Sequence, residues 1–307
     1  MTQYQKILLL ILLLSSSLLV SACERSAFSW PAPETGTIAT INLASHQDLS
    51  NYLTANDYQW DTLGQGVPLF LLTALPKDLH RIQDTTERKQ LFFLSLLPSV
   101  LLANQEITLQ RQQLLIALRH YEAGLPLSSP QQLLISRLTK RYRLRHNPLT
   151  NQSSRKQLLK RLDTLPPDLV LAQAANESGY GSSRFSRLGN NLFGQWTYAT
   201  GTGLVPKERS ANQRHEVQRF ASLYDSVRSY MNNLNSHRAY RSLRTIRAQK
   251  RSQKQALRGI DLAAGLLLYS SRRDAYVADI RSIIRRNKLS RLTTVSLRPV
   301  AAHTAAL

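Results

Sequence analysis

The sequence predicts an α+β protein that is mostly α-helical and carries one small β-hairpin lobe. Apolar residues recur at helical spacing from residue 38 to about 150. An Ala-rich apolar helix then begins at Pro166, and Gly179 ends it. Beyond that glycine the apolar residues alternate instead, in 191–198 and again in 215–220, on either side of a Gly-Thr-Gly turn.

Residues 1–22 are predicted to be an export signal. Lys6 precedes about fourteen largely apolar residues, which is short for a membrane span, and small residues follow them. The segment ending at Cys23 resembles a bacterial lipobox, which implies cleavage before Cys23 and its diacylation. Ordinary signal-peptidase cleavage and an uncleaved anchor are the alternatives. Glu24 favours the periplasm-facing side of the outer membrane, with the inner membrane as the other location.

Cysteine, histidine and charge content exclude several classes of protein. Cys23 is the single cysteine, so the chain has no intramolecular disulfide, and the folded body has no Cys-based zinc site and no cysteine nucleophile. The seven histidines lack the short spacing of a helical metal site, which predicts no metal and no cofactor. The net charge of +21 favours an anionic partner. The export signal and the lack of a docking motif argue against nucleic acid; the oligomeric state stays open.

The remaining regions differ in composition. Residues 23–37 are rich in Ser, Pro and Thr and are predicted to be a tether. Residues 38–150 form a helical N-terminal region whose most apolar part, 91–106, is predicted to be a buried core helix that Pro98 kinks or breaks. Residues 291–307 show no periodicity and are predicted to be disordered.

A run of basic residues extends from Arg238 to Arg258 with no acidic residue among them. Steps of three and four place most of these side chains on one helical face. A solvated surface and a patch for an anionic polymer or lipid explain the run equally well.

Glu177 is the candidate catalytic acid. It stands at the C-terminal end of the Ala-rich helix, whose first turn carries Asp168 near the positive end of the helix dipole. The partial negative charge at the C-terminal end and the apolar surroundings penalise the ionised carboxylate, so the pKa of Glu177 should rise. A carboxylic acid that keeps its proton near neutral pH is what cleavage of a glycosidic bond requires.

The segment around Glu177 resembles the signature of glycoside hydrolase family 73, the bacterial endo-β-N-acetylglucosaminidases, and more narrowly that of Bax-type proteins of Gram-negative bacteria. The family pattern is a helix ending in A-x-x-E-S-G-W-G, followed by S-x-x-A and N-x-F-G. The matching positions are Glu177, Ser178, Gly179, Gly181, Ser183, Asn191, Phe193 and Gly194. Tyr180 replaces the usual Trp and keeps an aromatic wall, whereas Asn176 places a polar side chain beside the acid.

The resemblance implies a lysozyme-like catalytic domain over residues 151–290 and roles for particular side chains. Glu177 is the acid, and Tyr269 ends a helix and points into the cleft as a further catalytic residue. The residues expected to bind substrate are Tyr180, Asn191, Phe193, Gly194, Trp196 and Tyr276.

The resemblance to family 73 implies a second carboxylate on the hairpin. Glu216 lies within the alternating strand and is favoured over Glu208, which lies in a turn between two basic residues. Two mechanisms remain open. A base-activated water would invert the anomeric carbon, whereas the substrate's own acetamido group could attack it with Tyr269 or a carboxylate stabilising the intermediate.

Together the export signal, Cys23 and the candidate acid predict an exported, lipid-anchored polysaccharide hydrolase. The resemblance implies that its substrate is peptidoglycan and that it cleaves the β-1,4 bond after N-acetylglucosamine. A lytic transglycosylase or muramidase is the alternative enzyme, and the N-x-F-G hairpin argues against it. A non-catalytic lipoprotein that holds peptidoglycan through its basic face is the alternative outside enzymes. The expected partners are glycan strands and, through Cys23, a membrane.

Overall fold

The computed structural model of the protein describes residues 38–206, 209 and 214–299. In this part of the chain helices hold most of the residues, and each strand is two or three residues long. The elements in chain order are β1 (Ala39–Ile41), α1 (His46–Ala55), β2 (Phe70–Leu72), α2 (Thr85–Glu122), α3 (Ser129–Arg141), α4 (Gln152–Arg161), α5 (Pro167–Ser178), α6 (Arg184–Gly189), β3 (Trp196–Thr197), β4 (Gly203–Leu204), β5 (Glu216–Gln218), α7 (Leu223–Ser236), α8 (Arg241–Ser252), α9 (Gly259–Leu262) and α10 (Asp274–Arg286). The predicted signal, Cys23 and the tether lie outside the described residues.

Helix α2 supplies the largest share of the core. It begins after Asp84, whose side chain accepts the N–H of Glu87 at 2.8 Å and so caps the helix. Every residue from 91 to 103 is buried. The helix is long and apolar enough to cross a membrane, yet 83 % of its most apolar window is buried inside the fold. The prediction of a buried core helix is confirmed.

Of the predicted kink or break at Pro98, the break does not occur, because α2 continues through that proline to Glu122. Proline has no N–H, so it leaves the carbonyl of Leu94, four residues earlier, without its helical partner. The hydroxyl of Tyr58, which is fully buried, donates to that carbonyl at 3.2 Å. A side chain from outside the helix thus replaces the lost hydrogen bond, and the backbone needs no break.

The regions before and after residue 150 share one hydrophobic core. Helix α2 packs against α5 and α7. At the contact with α7, buried Glu106 accepts a hydrogen bond from the hydroxyl of Tyr224 and lies 3.4 Å from Nε of Arg228. The boundary predicted at residue 150 therefore does not separate two packing units.

Two small sheets occur in the described part of the chain. Strands β1 and β2 pair in parallel, which the sequence did not predict because each is three residues long and lies in a region of helical periodicity. The other sheet has the order β3-β5-β4 and is antiparallel, with Trp196 and Leu204 both opposite Val217. It is the predicted β lobe, although its strands are shorter than the alternation suggested. The predicted class, mostly α with a small β lobe, is confirmed.

The prediction of a disordered tail from residue 291 is wrong for residues 291–299. A 3₁₀ helix spans Leu289–Thr294, and Leu292 is fully buried. Arg298 then donates to the carbonyl oxygens of Asn56 and Asp57 at 2.7 and 2.8 Å. These partners lie more than 200 residues earlier in the chain, so no local sequence pattern could predict the contact.

Part of the basic run is interior rather than solvated. Arg247 is fully buried, and its guanidinium donates to the carbonyl oxygens of residues 160, 163 and 164, each at 3.0 Å. It also lies 3.6 Å from the carboxylate of Asp163. Arg244 is buried too and donates to the carbonyl of Leu234 at 2.7 Å. These two arginines hold the chain segments around α8 together.

Other members of the run are paired with acids from outside it. Arg251 pairs with Asp163 at 3.0 Å, and Lys250 and Arg258 each lie 3.1 Å from Asp261. Arg251 and Arg258 are exposed, as the solvated-surface explanation expects, but their charges are paired with acids instead of being available to an anionic polymer or lipid. Three members of the run are exposed and appear in no ion pair of the described residues: Arg238 and Arg241 at the start of α8, and Lys254 beyond its end.

Candidate active site

Helix α5 ends in a tight turn that fixes the position of Glu177. Gly179 has a φ of +58°, and Gly181 has a φ of +81°, both in the left-handed region that glycine adopts without strain. A Cβ on Gly181 would lie 2.5 Å from Cδ1 of Leu75, so a larger residue would also have to displace that side chain. The hydroxyl of Ser178 accepts the N–H of Gly181 at 2.8 Å and donates to the carbonyl of Ala174. The E-S-G-x-G part of the motif is therefore a rigid corner after the acid.

The carboxyl group of Glu177 is half-buried and contacts neutral hydrogen-bond donors. The hydroxyl of Tyr276 donates to Oε1 at 2.7 Å, and Nδ2 of Asn176 donates to the same oxygen at 3.2 Å. Burial raises the pKa of Glu177 above its ordinary value, although both hydrogen bonds act in the opposite direction. Burial therefore shifts the pKa in the direction that the sequence predicted, and Asn176, the polar neighbour of the acid, acts against that shift through its hydrogen bond.

A buried hydrogen-bond chain holds Tyr276 against the acid. The hydroxyl of Tyr230 donates to Oε1 of Gln173, and Nε2 of Gln173 donates to the hydroxyl of Tyr276 at 2.9 Å. With its oxygen accepting from Gln173, Tyr276 directs its own proton to Glu177. The sequence analysis expected Tyr276 to bind substrate. Because Tyr276 is only 2 % exposed and hydrogen-bonded to Glu177, the structure indicates that it positions the acid.

Tyr269 lies beside this chain. Its ring stacks on that of Tyr276, with centroids 5.2 Å apart and planes 9° apart. Its hydroxyl donates to the carbonyl of Phe193 at 3.1 Å. The ring is partly exposed, which places it at the surface of the site, while its hydroxyl is engaged with the loop that carries the N-x-F-G sequence.

The conformation of the loop 191–195 is stabilised by hydrogen bonds and packing of its own motif residues. Asn191 is 2 % exposed; its Nδ2 donates to the carbonyls of Gln195 and Gln218, and its Oδ1 accepts the N–H of Gln195. Phe193 is 3 % exposed and stacks on the ring of Tyr230 at a centroid distance of 3.9 Å. Both residues were expected to bind substrate, but their burial makes them supports of the loop.

Gly194 and Trp196 are the exposed members of this segment. Gly194 has a φ of +63°, and a Cβ there would meet no heavy atom within 4 Å, so its surface is open. Trp196 is 57 % exposed, and one face of its indole stacks on the imidazole of His215 at 4.3 Å. An aromatic face held flat in this way can accept a sugar ring by stacking. His215 is a supporting residue that the sequence analysis did not identify.

Tyr180 forms a wall together with α2. Its ring packs edge-on against Phe92 and Phe93 at centroid distances of 5.7 and 5.8 Å. Nδ2 of Asn287 lies 3.4 Å from its hydroxyl, and Nζ of Lys89 lies 5.5 Å from its ring centroid. The aromatic wall expected at this position is therefore partly covered by α2, and the region 38–150 contributes to it.

Of the two candidates for the second carboxylate, the structure describes Glu216 only. Its Oε1 accepts the N–H of Gly201 at 2.9 Å and its Oε2 accepts the N–H of Gly203 at 2.8 Å. These backbone donors hold the pKa of Glu216 below its ordinary value, and the turn itself buries the side chain. Glu216 thus ties the β3–β4 turn to the central strand. Its catalytic role stays a prediction, and Glu208 lies outside the described residues.

The structure brings Glu177, Tyr269 and Tyr276 into one connected group. Tyr276 contacts both Glu177 and Tyr269, and the hydroxyl of Tyr269 donates to the carbonyl of Phe193. The sequence analysis missed Gln173, although its place four residues before Glu177 puts both on one face of α5. No nearby sequence signal identifies Tyr230, which belongs to α7. Among residues 38–206, 209 and 214–299 no three His, Cys, Asp or Glu side chains converge as a metal site would require.

Comparisons with known proteins find a matching family profile, a related sequence and a solved structure with partial similarity. The glucosaminidase family profile, described as mannosyl-glycoprotein endo-beta-N-acetylglucosaminidase, matches residues 153–289. Protein bax of Escherichia coli strain K12 is 31 % identical over 207 residues, covering 66 % of this chain and 71 % of that protein. The catalytic domain of the autolysin Auto from Listeria monocytogenes is 21 % identical, with a TM-score of 0.32, over 56 % of this chain and 92 % of that one.

Proposed function

This chain belongs to the Bax-type proteins of the glucosaminidase family of glycoside hydrolases, and from that membership we propose that it hydrolyses the glycan strands of peptidoglycan. The bond cleaved is the β-1,4 linkage after N-acetylglucosamine. One observation carries the proposal: a half-buried carboxyl group, Glu177, has a raised pKa and is hydrogen-bonded by neutral side chains on a rigid helix end.

In the proposed reaction Glu177 is the general acid. Its raised pKa increases the protonated fraction near neutral pH, and that proton passes to the glycosidic oxygen as the bond breaks. Tyr276 fixes the direction in which the carboxyl group points. Trp196 and the open surface at Gly194 supply stacking and room for the sugars. Attack then comes either from water or from the acetamido group of the substrate.

The test of this function is digestion of peptidoglycan sacculi followed by mass analysis of the products. Reducing N-acetylglucosamine ends are expected. Anhydro-muramic ends would show a lytic transglycosylase instead, and reducing muramic ends would show a muramidase. If the glycan is not cleaved, the result would favour the alternative that the protein binds the cell wall without cleaving it.

We also propose that Cys23 anchors the chain in the outer membrane, facing the periplasm. The short apolar segment, the small residues before Cys23 and the absence of another cysteine support this proposal. Several acyl chains at one terminus bind a membrane stably. Mass spectrometry of the N-terminal peptide from isolated membranes tests it, since an unmodified Cys23 would contradict it.

Replacing Tyr276 by Phe should move the alkaline limb of the activity profile to higher pH. The Tyr276 hydroxyl stabilises the ionised form of Glu177, so its removal raises the pKa of the acid further. A general acid loses activity as the pH rises through its pKa, and a higher pKa shifts that loss upward. The measurement is kcat/KM against pH, with Tyr198→Phe, an exposed tyrosine of the β lobe, as the control.

Replacing Glu216 by Gln should loosen the β3–β4 turn. A glutamine has one acceptor oxygen for the two N–H groups that Glu216 now binds, so one of Gly201 and Gly203 loses its partner. Faster amide hydrogen exchange at these two glycines is the expected result. Comparing the activities of Glu216→Gln and Glu208→Gln then assigns the second carboxylate. Unchanged exchange at both glycines would contradict the structural role.

A further inference from the structure

A basic pocket of about 990 Å³ lies between the α3–α4 connection, α4 and the segment that joins α7 to α8. It is lined by five arginines, and no carboxylate among the described residues lines it. We define the basic pocket by Arg143, Arg145, Arg161, Arg238 and Arg241. Its size falls in the range of ligand sites, and its lining selects an anion.

The positive charge in the basic pocket is not neutralised by the described part of the chain. Four of its arginines, Arg143, Arg145, Arg238 and Arg241, are exposed, and none of them appears in an ion pair there. Burial, followed by Arg241 and Arg143, lowers the pKa of Arg161. Because neighbouring positive charges repel one another, a bound anion would stabilise the charged form of these arginines.

Two further features of the basic pocket are independent of the arginines. The first turn of α4, a helix of 10 residues capped by Asn151, lines it with Ser153 and Ser154. A helix N-terminus offers N–H donors and partial positive charge to an anion. Ser236 also lines the pocket, is 3 % exposed, and its Oγ has no hydrogen-bond partner. A buried hydroxyl in that state costs free energy unless a water or a ligand pairs with it.

A short 3₁₀ helix, Arg238–Tyr240, joins the basic pocket to the candidate active site. Arg238 lines the pocket, while the ring of Tyr240 lies 5.8 Å from that of Tyr269. Tyr269 in turn stacks on Tyr276, which holds Glu177. This 3₁₀ helix and the packed rings of Tyr240, Tyr269 and Tyr276 thus connect the lining of the basic pocket to the side chains around the acid.

We infer that the basic pocket binds the carboxylates of the peptide branches carried by the same glycan strand that Glu177 cleaves, an inference that rests on the proposed function. A branch of four residues spans up to about 13 Å when extended. Arginine forks recognise carboxylates with two parallel hydrogen bonds. A membrane surface would meet a flat or convex basic face, whereas these arginines surround a concavity.

The test compares glycan strands that carry peptides with the same strands after an amidase has removed the peptides. In the full chain, the double variant Arg238→Gln, Arg241→Gln should lower the preference for peptide-bearing strands about five- to tenfold, through KM rather than kcat. The double variant Arg119→Gln, Arg137→Gln removes the same charge from exposed helix positions outside the pocket and should keep the preference. Circular dichroism confirms that both variants fold.

A binding measurement separates this inference from the proposed function. Calorimetry on the Glu177→Gln chain uses two probes, the peptides released by the amidase and vesicles of anionic phospholipid. Loss of peptide binding in the Arg238/Arg241 variant, with the control unaffected, supports the inference even if no glycan is cleaved. Loss of vesicle binding alone, equal loss in the control, or no peptide binding by the parent chain would overturn it.

Discussion

Replacing Glu177 by Gln should lower glycan hydrolysis about 10²- to 10⁴-fold, the usual contribution of a general acid. The amide cannot deliver a proton to the departing oxygen. Its carbonyl oxygen still accepts the hydrogen bond that Tyr276 now donates, so the helix end and the chain through Gln173 keep their arrangement. We therefore expect the variant to lose hydrolytic activity while it keeps its folded structure.

The measurement is the rate of product release from sacculi, with thermal unfolding of the same sample as the test of folding. Glu87→Gln is the matched control, because it makes the same substitution at an exposed position in the first turn of α2. A wild-type rate of product release in the Glu177→Gln variant would contradict the role of Glu177 as the general acid. Activity lost equally in the Glu87 variant would show a general effect of charge.

Replacing Arg247 by Ala should lower the free energy of unfolding by about 3 kcal/mol, the lower end for breaking a buried ion pair. Arg251 still reaches Asp163 at 3.0 Å, which limits the loss. The carbonyls of residues 160 and 164 lose the guanidinium, and Oδ1 of Asn235 loses its donor at 2.7 Å. Burial lowers the pKa of Arg247 to about 10, so the side chain remains charged at neutral pH.

Urea unfolding followed by circular dichroism gives this free energy. Arg241→Ala, in the first turn of the same helix but exposed, should change it by less than about 0.5 kcal/mol. If the two variants lost the same amount, Arg247 would contribute no more than an average surface arginine. Its role in joining α8 to the segment 160–164 would then be refuted.

The acid could be found from sequence because its signals are local. The prolines at the start of α5, the glycines behind it and the motif around Glu177 lie within one short stretch. The direction of its pKa shift followed from the apolar composition of that helix. The hydrogen-bond partner Tyr276 was marked only by resemblance, since 99 residues separate it from Glu177.

The roles of Asn191, Phe193 and Glu216 could not be assigned in the same way. A motif states that these residues recur at a spacing, but it does not state which way each side chain points. Asn191 and Phe193 turn inward and Trp196 turns outward because the loop closes on Tyr230 and on the carbonyls of β5. The exposed fraction of each side chain is a property of that packing.

The sequence by itself determined the helical class, the β lobe, the position of the candidate acid and the concentration of positive charge, because each depends on the identity and spacing of near neighbours. The tertiary structure alone decided that α2 runs unbroken past Pro98, that Arg247 is interior, and that the remaining arginines surround a pocket. The physical reason is the same in each instance. A hydrogen-bond donor or a charge is satisfied by partners brought close in space, and those partners lie tens of residues away along the chain.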